Sequence, residues 1–259
     1  IFDYKRDYTN EKFVEKVGAK VLSPDKKIPL NVLAISGEYS KAKAYKRAKS
    51  FCDVLGKIYG GIGPVQKQLL TTTIVDLFEI AKDNQAPLLS EVRKSYDQAA
   101  GKPDAVSSIL SGFVDGEVFE YDRAKILTFK ELMDGNVVVV SLNEFQADTD
   151  SKNALVVLML DLYYEYMLNS QKWPFTGTSP QIRKLNSFLL VDEATNIMKY
   201  DFPVLSNLLL EGREWLLLDE VFQAETKRLG VITCFMALLE LIKQRLGFCS
   251  RVVLALQAD

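Results

Sequence analysis

The chain has 259 residues, a net charge of −2 and no histidine. The missing histidine excludes Ser-His and Cys-His nucleophile systems and His-ligated zinc. The near-zero charge excludes a chain-wide basic surface for nucleic acid, so any such contact has to come from a local patch.

Taken in chain order, strands and helices alternate. Residues 1–3 read as a strand end, 8–17 as a short helix and 19–22 as a strand. Residues 24–33 form a loop leading into the apolar patch Ile28-Pro29-Leu30-Asn31-Val32-Leu33. A helix is predicted over 39–59, with Ala42, Tyr45, Ala48, Phe51 and Cys52 at helical spacing. Further helices follow over 65–83, 88–99 and 103–113, then an extended stretch over 116–127. Asn136-Val-Val-Val-Val-Ser-Leu142, behind Asp134-Gly135, is the clearest buried strand. A long apolar helix covers 151–170. Residues 172–184, with Pro174, Gly177 and Pro180, form a loop. A strand over 187–192, a helix over 204–211 and a closing strand over 251–256 complete the series. This alternation predicts a parallel sheet covered by helices, and the helical block 39–115 reads as an insertion. Segment 229–242 is apolar but too short for a membrane span and carries Glu240. No signal peptide is recognised, and Cys52, Cys234 and Cys249 are sparse and lack Cys-x-x-Cys spacing. Both features predict a reducing, cytoplasmic location without membrane contact.

Ser187-Phe188-Leu189-Leu190-Val191-Asp192-Glu193-Ala194 concentrates the chemistry. An apolar strand ends in two adjacent carboxylates. At the carboxyl end of a strand in an open α/β sheet, an Asp can hold Mg²⁺ and a Glu can polarise a water. That is the Walker B arrangement of ATP-hydrolysing motors. The alternative is a core strand ending in two solvated acids. The matching phosphate cradle, Gly-x-x-x-x-Gly-Lys-[Ser/Thr], does not occur in the sequence. Gly60-Gly61-Ile62-Gly63-Pro64 has the wrong spacing and reads as a turn into a helix starting near Pro64. The expectation is therefore that a Walker A loop precedes Ile1.

Several segments in order resemble one family. Ile1-Phe2-Asp3-Tyr4-Lys5-Arg6-Asp7-Tyr8 resembles the strand after Walker A in HerA/FtsK-type DNA-pumping ATPases. Pro29-Leu30-Asn31-Val32-Leu33 is similar to that family's Pro-Leu-Asn loop, and Gly61-Ile62-Gly63-Pro64-Val65-Gln66 to its glycine-to-glutamine helix start. Leu190-Val191-Asp192-Glu193-Ala194 and Leu208-Leu209-Leu210-Glu211-Gly212-Arg213-Glu214 resemble its Walker B and the Gly-Arg segment behind it. The resemblance covers residues 1–215. It lies nearest the DptH-type branch that serves phosphorothioation-dependent DNA restriction.

The resemblance implies a RecA-like P-loop NTPase core, a parallel sheet with helices on both faces, interrupted by a helical insertion. Residues 1–38 would be part of the core, 39–115 the insertion, 116–215 the core with Walker B, and 216–259 a tail of uncertain continuity. The implied activity is ATP hydrolysis driving translocation along double-stranded DNA in a bacterial anti-phage restriction complex. Hydrolysis would take place between subunits of a homo-oligomeric ring, beside other restriction-complex subunits. The opposing reading is a non-hydrolysing scaffold derived from such an ATPase. ATP and Mg²⁺ are the implied cofactors, with Asp192 on the metal and Glu193 on the attacking water. Arg213 reads as an arginine finger or a nucleotide contact, or else as a helix-end Arg satisfying carbonyls. Asp3 and Lys5 lie at a strand end near the expected nucleotide edge, or are simply solvated there. Gln257 matches the family's sensor Gln at the end of Arg251-Val-Val-Leu-Ala-Leu-Gln257, although residues 216–248 intervene where the family has almost none.

Three other features read as structural. Leu216-Leu217-Leu218-Asp219-Glu220 mimics Walker B but reads as helix surface. Lys41, Lys43, Lys46, Arg47 and Lys49 wrap around their helix and read as a solvated face rather than a track for a DNA backbone. Tyr163, Tyr164 and Tyr166 read as core and interface.

Overall fold

The computed structural model describes residues 1–81, 85–143, 148–171, 174, 187–211 and 251–256. Five strands and nine α-helices lie in this part. The chain divides into two units, one of residues 3–166 and one of residues 1–2 with 167–259. The short strand β1 (Phe2–Asp3) is shared at the boundary.

In the larger unit the strand order is β2 (Ala19–Leu22), β3 (Val137–Ser141), β1. β2 and β3 run parallel, with Ala19 beside Val137 and Leu22 beside Val140. The Leu142 N–H donates to Asp3 C=O at 2.9 Å. A run of four valines makes β3 a strand because branched Cβ atoms suit a pleated, buried surface. Helix α1 (Glu11–Val17) lies against β2. Asn10 caps its start by accepting from Phe13 N–H, and Gly18, at φ +64°, ends it.

The helical block is α2 (Lys41–Tyr59), α3 (Pro64–Ile80), α4 (Leu89–Ala100) and α5 (Ala105–Val114), each packed on its neighbour in sequence. The buried stripe of α2 is Ala44, Arg47, Ala48, Phe51, Cys52, Val54, Leu55 and Ile58. Ala42 and Tyr45, expected on that stripe, face solvent, and Arg47 lies inside instead. Residues 116–127, expected to be extended, form two turns around one bridge between Phe119 and Ile28. A short helix, α6 (Phe129–Met133), precedes β3. The long helix α7 (Thr149–Asn169) buries Ala154 through Leu160 without a break, the mark of a helix enclosed on all sides.

In the smaller unit β4 (Ser187–Asp192) runs parallel to β1, with Phe2 beside Val191. β5 (Arg251–Leu256) completes the order β1, β4, β5, and it runs antiparallel to β4. The expected parallel pairing is found for β2 with β3 and for β1 with β4, whereas β5 joins antiparallel, a common departure at the margin of an otherwise parallel sheet. Helix α8 (Thr195–Met198) follows β4, and α9 (Pro203–Glu211) packs on β5. Among the described residues no helix is long and apolar enough to cross a membrane.

Candidate functional site

Leu189 and Val191 anchor β4 in the core, and the strand ends at Asp192, which is 0% exposed. Glu193 then turns the chain at φ +50°. This left-handed conformation costs a residue with a Cβ on the order of 1–2 kcal/mol. Two tight contacts fix the turn. Asn196 N–H donates to Glu193 C=O at 2.9 Å, and Met198 N–H donates to Ala194 C=O at 3.0 Å. The result is a strand-to-helix elbow with one carboxylate withdrawn from water and the next partly exposed. Strained backbone of this kind concentrates at functional positions.

In the other unit, Asp3 is also fully buried. Its Oδ1 accepts from the N–H groups of Lys5 and Asp7 at 3.1 and 3.2 Å, and its Oδ2 from Tyr8 N–H at 2.9 Å. The carboxylate therefore organises its own loop, 4–8, in which Arg6 stands at φ +69°. That geometry accounts for Asp3 without a nucleotide. Lys5 is exposed on the loop so formed. Tyr4 Oη donates to Asn153 Oδ1 on α7 at 3.1 Å, fixing the loop from the other side.

The structure thus sets Asp192 beside Glu193 and ties Lys5 to Asp3. Arg213, Gln257 and the decoy 216–220 lie outside the described residues, as does nearly all of the predicted loop 172–184. The residue in register with Asp192 on β5 is Arg251, whereas the strand's last described residue, Leu256, pairs with Ser187 at the start of β4. β5 therefore begins at the end of β4 that carries Asp192, and Gln257, expected to follow it, lies outside the described residues.

Two family-like segments have structural explanations. Asn31 donates through Nδ2 to Ala86 C=O and Pro87 C=O at 3.2 and 3.1 Å and accepts from Leu33 N–H at 2.9 Å, stapling its loop to the segment before α4. Gly60 closes α2 at φ +66°, its N–H donating to Gly56 C=O. Gly63 starts α3, its N–H donating to Gln66 Oε1 at 2.9 Å. Pro64 has no N–H. The glycine segment is therefore a cap-to-cap turn, as its spacing predicts, and not a phosphate cradle. Gln66 also donates to Asp104 Oδ2 at 2.7 Å, and Asp104 caps α5 by accepting from Ser107 N–H at 3.0 Å. Burial opposes ionisation of Asp104, but hydrogen bonds from Ser107, Gln66 and Tyr96 outweigh it and hold the carboxyl below its ordinary value.

Arg47 is the residue that sequence reasoning placed on the wrong side of its helix. It pairs with Asp161 at 2.7 Å and with Glu165, both on α7, while Ser50 Oγ donates to Asp161 at 2.8 Å. The missed signal was the Asp161–Glu165 spacing of four on an otherwise apolar helix. Lys41 pairs with Glu79 at 2.6 Å, and Lys43 Nζ donates to Ser36 C=O and Glu38 C=O. With Arg47 inside, the remaining lysines form an ordinary solvated face. Tyr163 is core, packed on Phe129, and Tyr166 Oη donates to Asp134 at 2.6 Å. Burial pushes the Cys52 thiol up to about 11, which makes it a poor nucleophile. Among the described residues no three acidic or cysteine side chains converge as a ready-made metal cage.

No protein-family model matches this sequence, and no curated protein matches it.

Proposed function

We propose that this chain belongs to an ATP-hydrolysing translocase of the HerA/FtsK kind, acting on double-stranded DNA in the cytoplasm as a ring within a restriction complex. The finer fold this requires is a RecA-like core. The observation that carries the reading is the β4 elbow, a buried strand ending in a withdrawn Asp192 and a left-handed, partly exposed Glu193. Mg²⁺ takes hard oxygen donors and is commonly held by one or two carboxylates, with substrate phosphates and waters completing its shell. Asp192 fits that demand alone, and a dedicated cage of three acids is not needed. Bound there, Mg²⁺ would neutralise charge on the phosphates. Asp192 presents its carboxylate from a rigid strand end. Glu193 Oε accepts a hydrogen bond from a water and takes its proton as the water attacks. The turn holds Glu193 at that position, so no backbone rearrangement is required at the moment of reaction.

A second reading, a non-hydrolysing scaffold of the same ancestry, is favoured by one observation. The amides of Gly60 and Gly63 are already committed to helix caps, so the 259 residues offer no phosphate cradle of the Gly-Lys type. Equilibrium binding of a fluorescent ATP analogue to the full-length protein separates the two. The motor reading expects Mg²⁺-dependent binding that Asp192→Ala weakens. Absence of binding by the wild-type protein sinks it and leaves the scaffold.

A further inference from the structure

We infer that the contact between Tyr59 and Ser151 selects the single register in which the helical block lies along α7. The block and α7 meet at two polar points. Arg47, early in α2, pairs with Asp161 at 2.7 Å and with Glu165, and Ser50 Oγ donates to Asp161 at 2.8 Å. Tyr59, the last residue of α2, has its Oη 2.7 Å from the Oγ of Ser151, in the first turn of α7. The two helices therefore run antiparallel. Their spacings match: Arg47 to Tyr59 is about 18 Å along α2, and Ser151 to Asp161 and to Glu165 is about 15 and 21 Å along α7. Between the two points α7 buries Ala154 through Leu160, all apolar. Apolar attraction is non-directional, so this stretch says little about register. Arg47 does not settle it either. Asp161 and Glu165 are four residues apart, about one turn, so a slide of one turn (about 5.4 Å) either way leaves Arg47 opposite one of the two carboxylates. The same slide takes Tyr59 off Ser151, onto apolar Leu155 or past the start of α7. Ser151 is itself held in place, its N–H donating to Asp148 Oδ1 at 2.7 Å and its hydroxyl to Asp148 Oδ2 at 3.3 Å. With that proton committed, Tyr59 Oη donates to Ser151 Oγ. A hydroxyl stripped of its partner and set against Leu155 disfavours the slid register by roughly tenfold or more. Selecting one register is the best-attested use of a buried polar contact between helices.

This register lock stands whether or not the chain hydrolyses ATP. Its test is the position of α2 along α7 in the full-length protein. Spin labels at the exposed positions Lys46 and Thr149, carried on a ketone-bearing unnatural amino acid so that the native cysteines stay intact, report that position by double electron–electron resonance. Labelled protein is diluted into unlabelled copies so that only distances within one chain are read. Wild type gives one narrow distance. Tyr59→Phe removes a single hydroxyl and adds a second distance, displaced by up to about one turn, 5.4 Å. The apolar replacement Arg47→Met/Asp161→Leu/Glu165→Met, with Tyr59 kept, retains the single wild-type distance, because exchanging a whole buried ion cluster for apolar side chains leaves no charge unpaired. A loss of stability alone would not move either distance. One narrow distance in Tyr59→Phe overturns the inference, and so does a second distance in the apolar replacement, which would give the register to the charges. If the apolar replacement fails to fold, Tyr59→Phe decides alone, and if Tyr59→Phe fails to fold, Ser151→Ala is read in its place with the same two outcomes.

Discussion

Glu193 adopts φ +50°, a conformation that glycine takes at little cost and glutamate does not. A purely structural turn at this position would be served as well or better by glycine. Glu193→Gly is therefore expected to be no less stable than the wild type in urea unfolding, and up to about 1 kcal/mol more stable, while hydrolysis is lost. A clear loss of stability would mean that the Glu193 side chain holds the turn itself. Asp3 makes the opposite case. Three backbone N–H groups converge on its carboxylate, and hydrogen bonds to a charged group contribute about 1.5–3 kcal/mol each. Asp3→Ala should lower stability by roughly 2–4 kcal/mol without any nucleotide present, measured by the urea midpoint. A neutral outcome would return Asp3 to the list of ligand residues. The pair Asp-Glu at 192–193 was legible in the sequence because an apolar run cannot hide two adjacent acids. The anchoring role of Asp3 was not, because its partners are backbone amides, which leave no trace in side-chain identity.

Between elements, the buried polar contacts carry the most specific expectations. Arg47 holds α2 on α7 through Asp161 and Glu165 and is 7% exposed. Arg47→Met leaves two carboxylates facing each other without their cation, so it should cost about 3–5 kcal/mol, read from chemical unfolding. A loss under 1 kcal/mol would show that the helices hold together by apolar packing alone. Asp104 ties the starts of α3 and α5. Its carboxyl is held below the ordinary value in the folded chain, so the unfolded chain binds the proton first as pH falls. The contribution is complete at neutral pH and is lost below about pH 4. Asp104→Asn should flatten that part of the stability profile, and an unchanged acid limb contradicts the assignment. Most helices and strands were legible from periodicity, with ends set by Ser40, Gly60, Pro64 and Gly101 as cap chemistry dictates. The helices α6 and α8, of five and four residues, are shorter than any periodic window. The direction of β5 was illegible for another reason. The five apolar residues after Arg251 pair equally well either way, and only the register reveals Arg251 opposite Asp192.

At the scale of the whole molecule, the proposed motor would take its acidic residues from Asp192 and Glu193, while the 259 residues hold no Gly-x-x-x-x-Gly-Lys-[Ser/Thr] phosphate cradle. Residues 1–259 as a polypeptide should therefore bind ATP weakly, with calorimetry showing no micromolar affinity. Micromolar binding would place the phosphate contacts elsewhere in these residues. With a net charge of −2, DNA binding by the same polypeptide should be weak and fall steeply with salt. A ring multiplies weak contacts, so the motor reading expects assembly on DNA with nucleotide, and light scattering that shows only monomer under those conditions contradicts it. The most direct test is steady-state hydrolysis by full-length protein carrying Glu193→Gln, with Glu220→Gln as control. The substitution keeps the shape and removes the base. Hydrolysis should fall by about 10²–10⁴-fold while nucleotide binding survives, and Glu220→Gln should match wild type. Near-normal turnover in Glu193→Gln, or collapse in Glu220→Gln, would put the chemistry on a different strand.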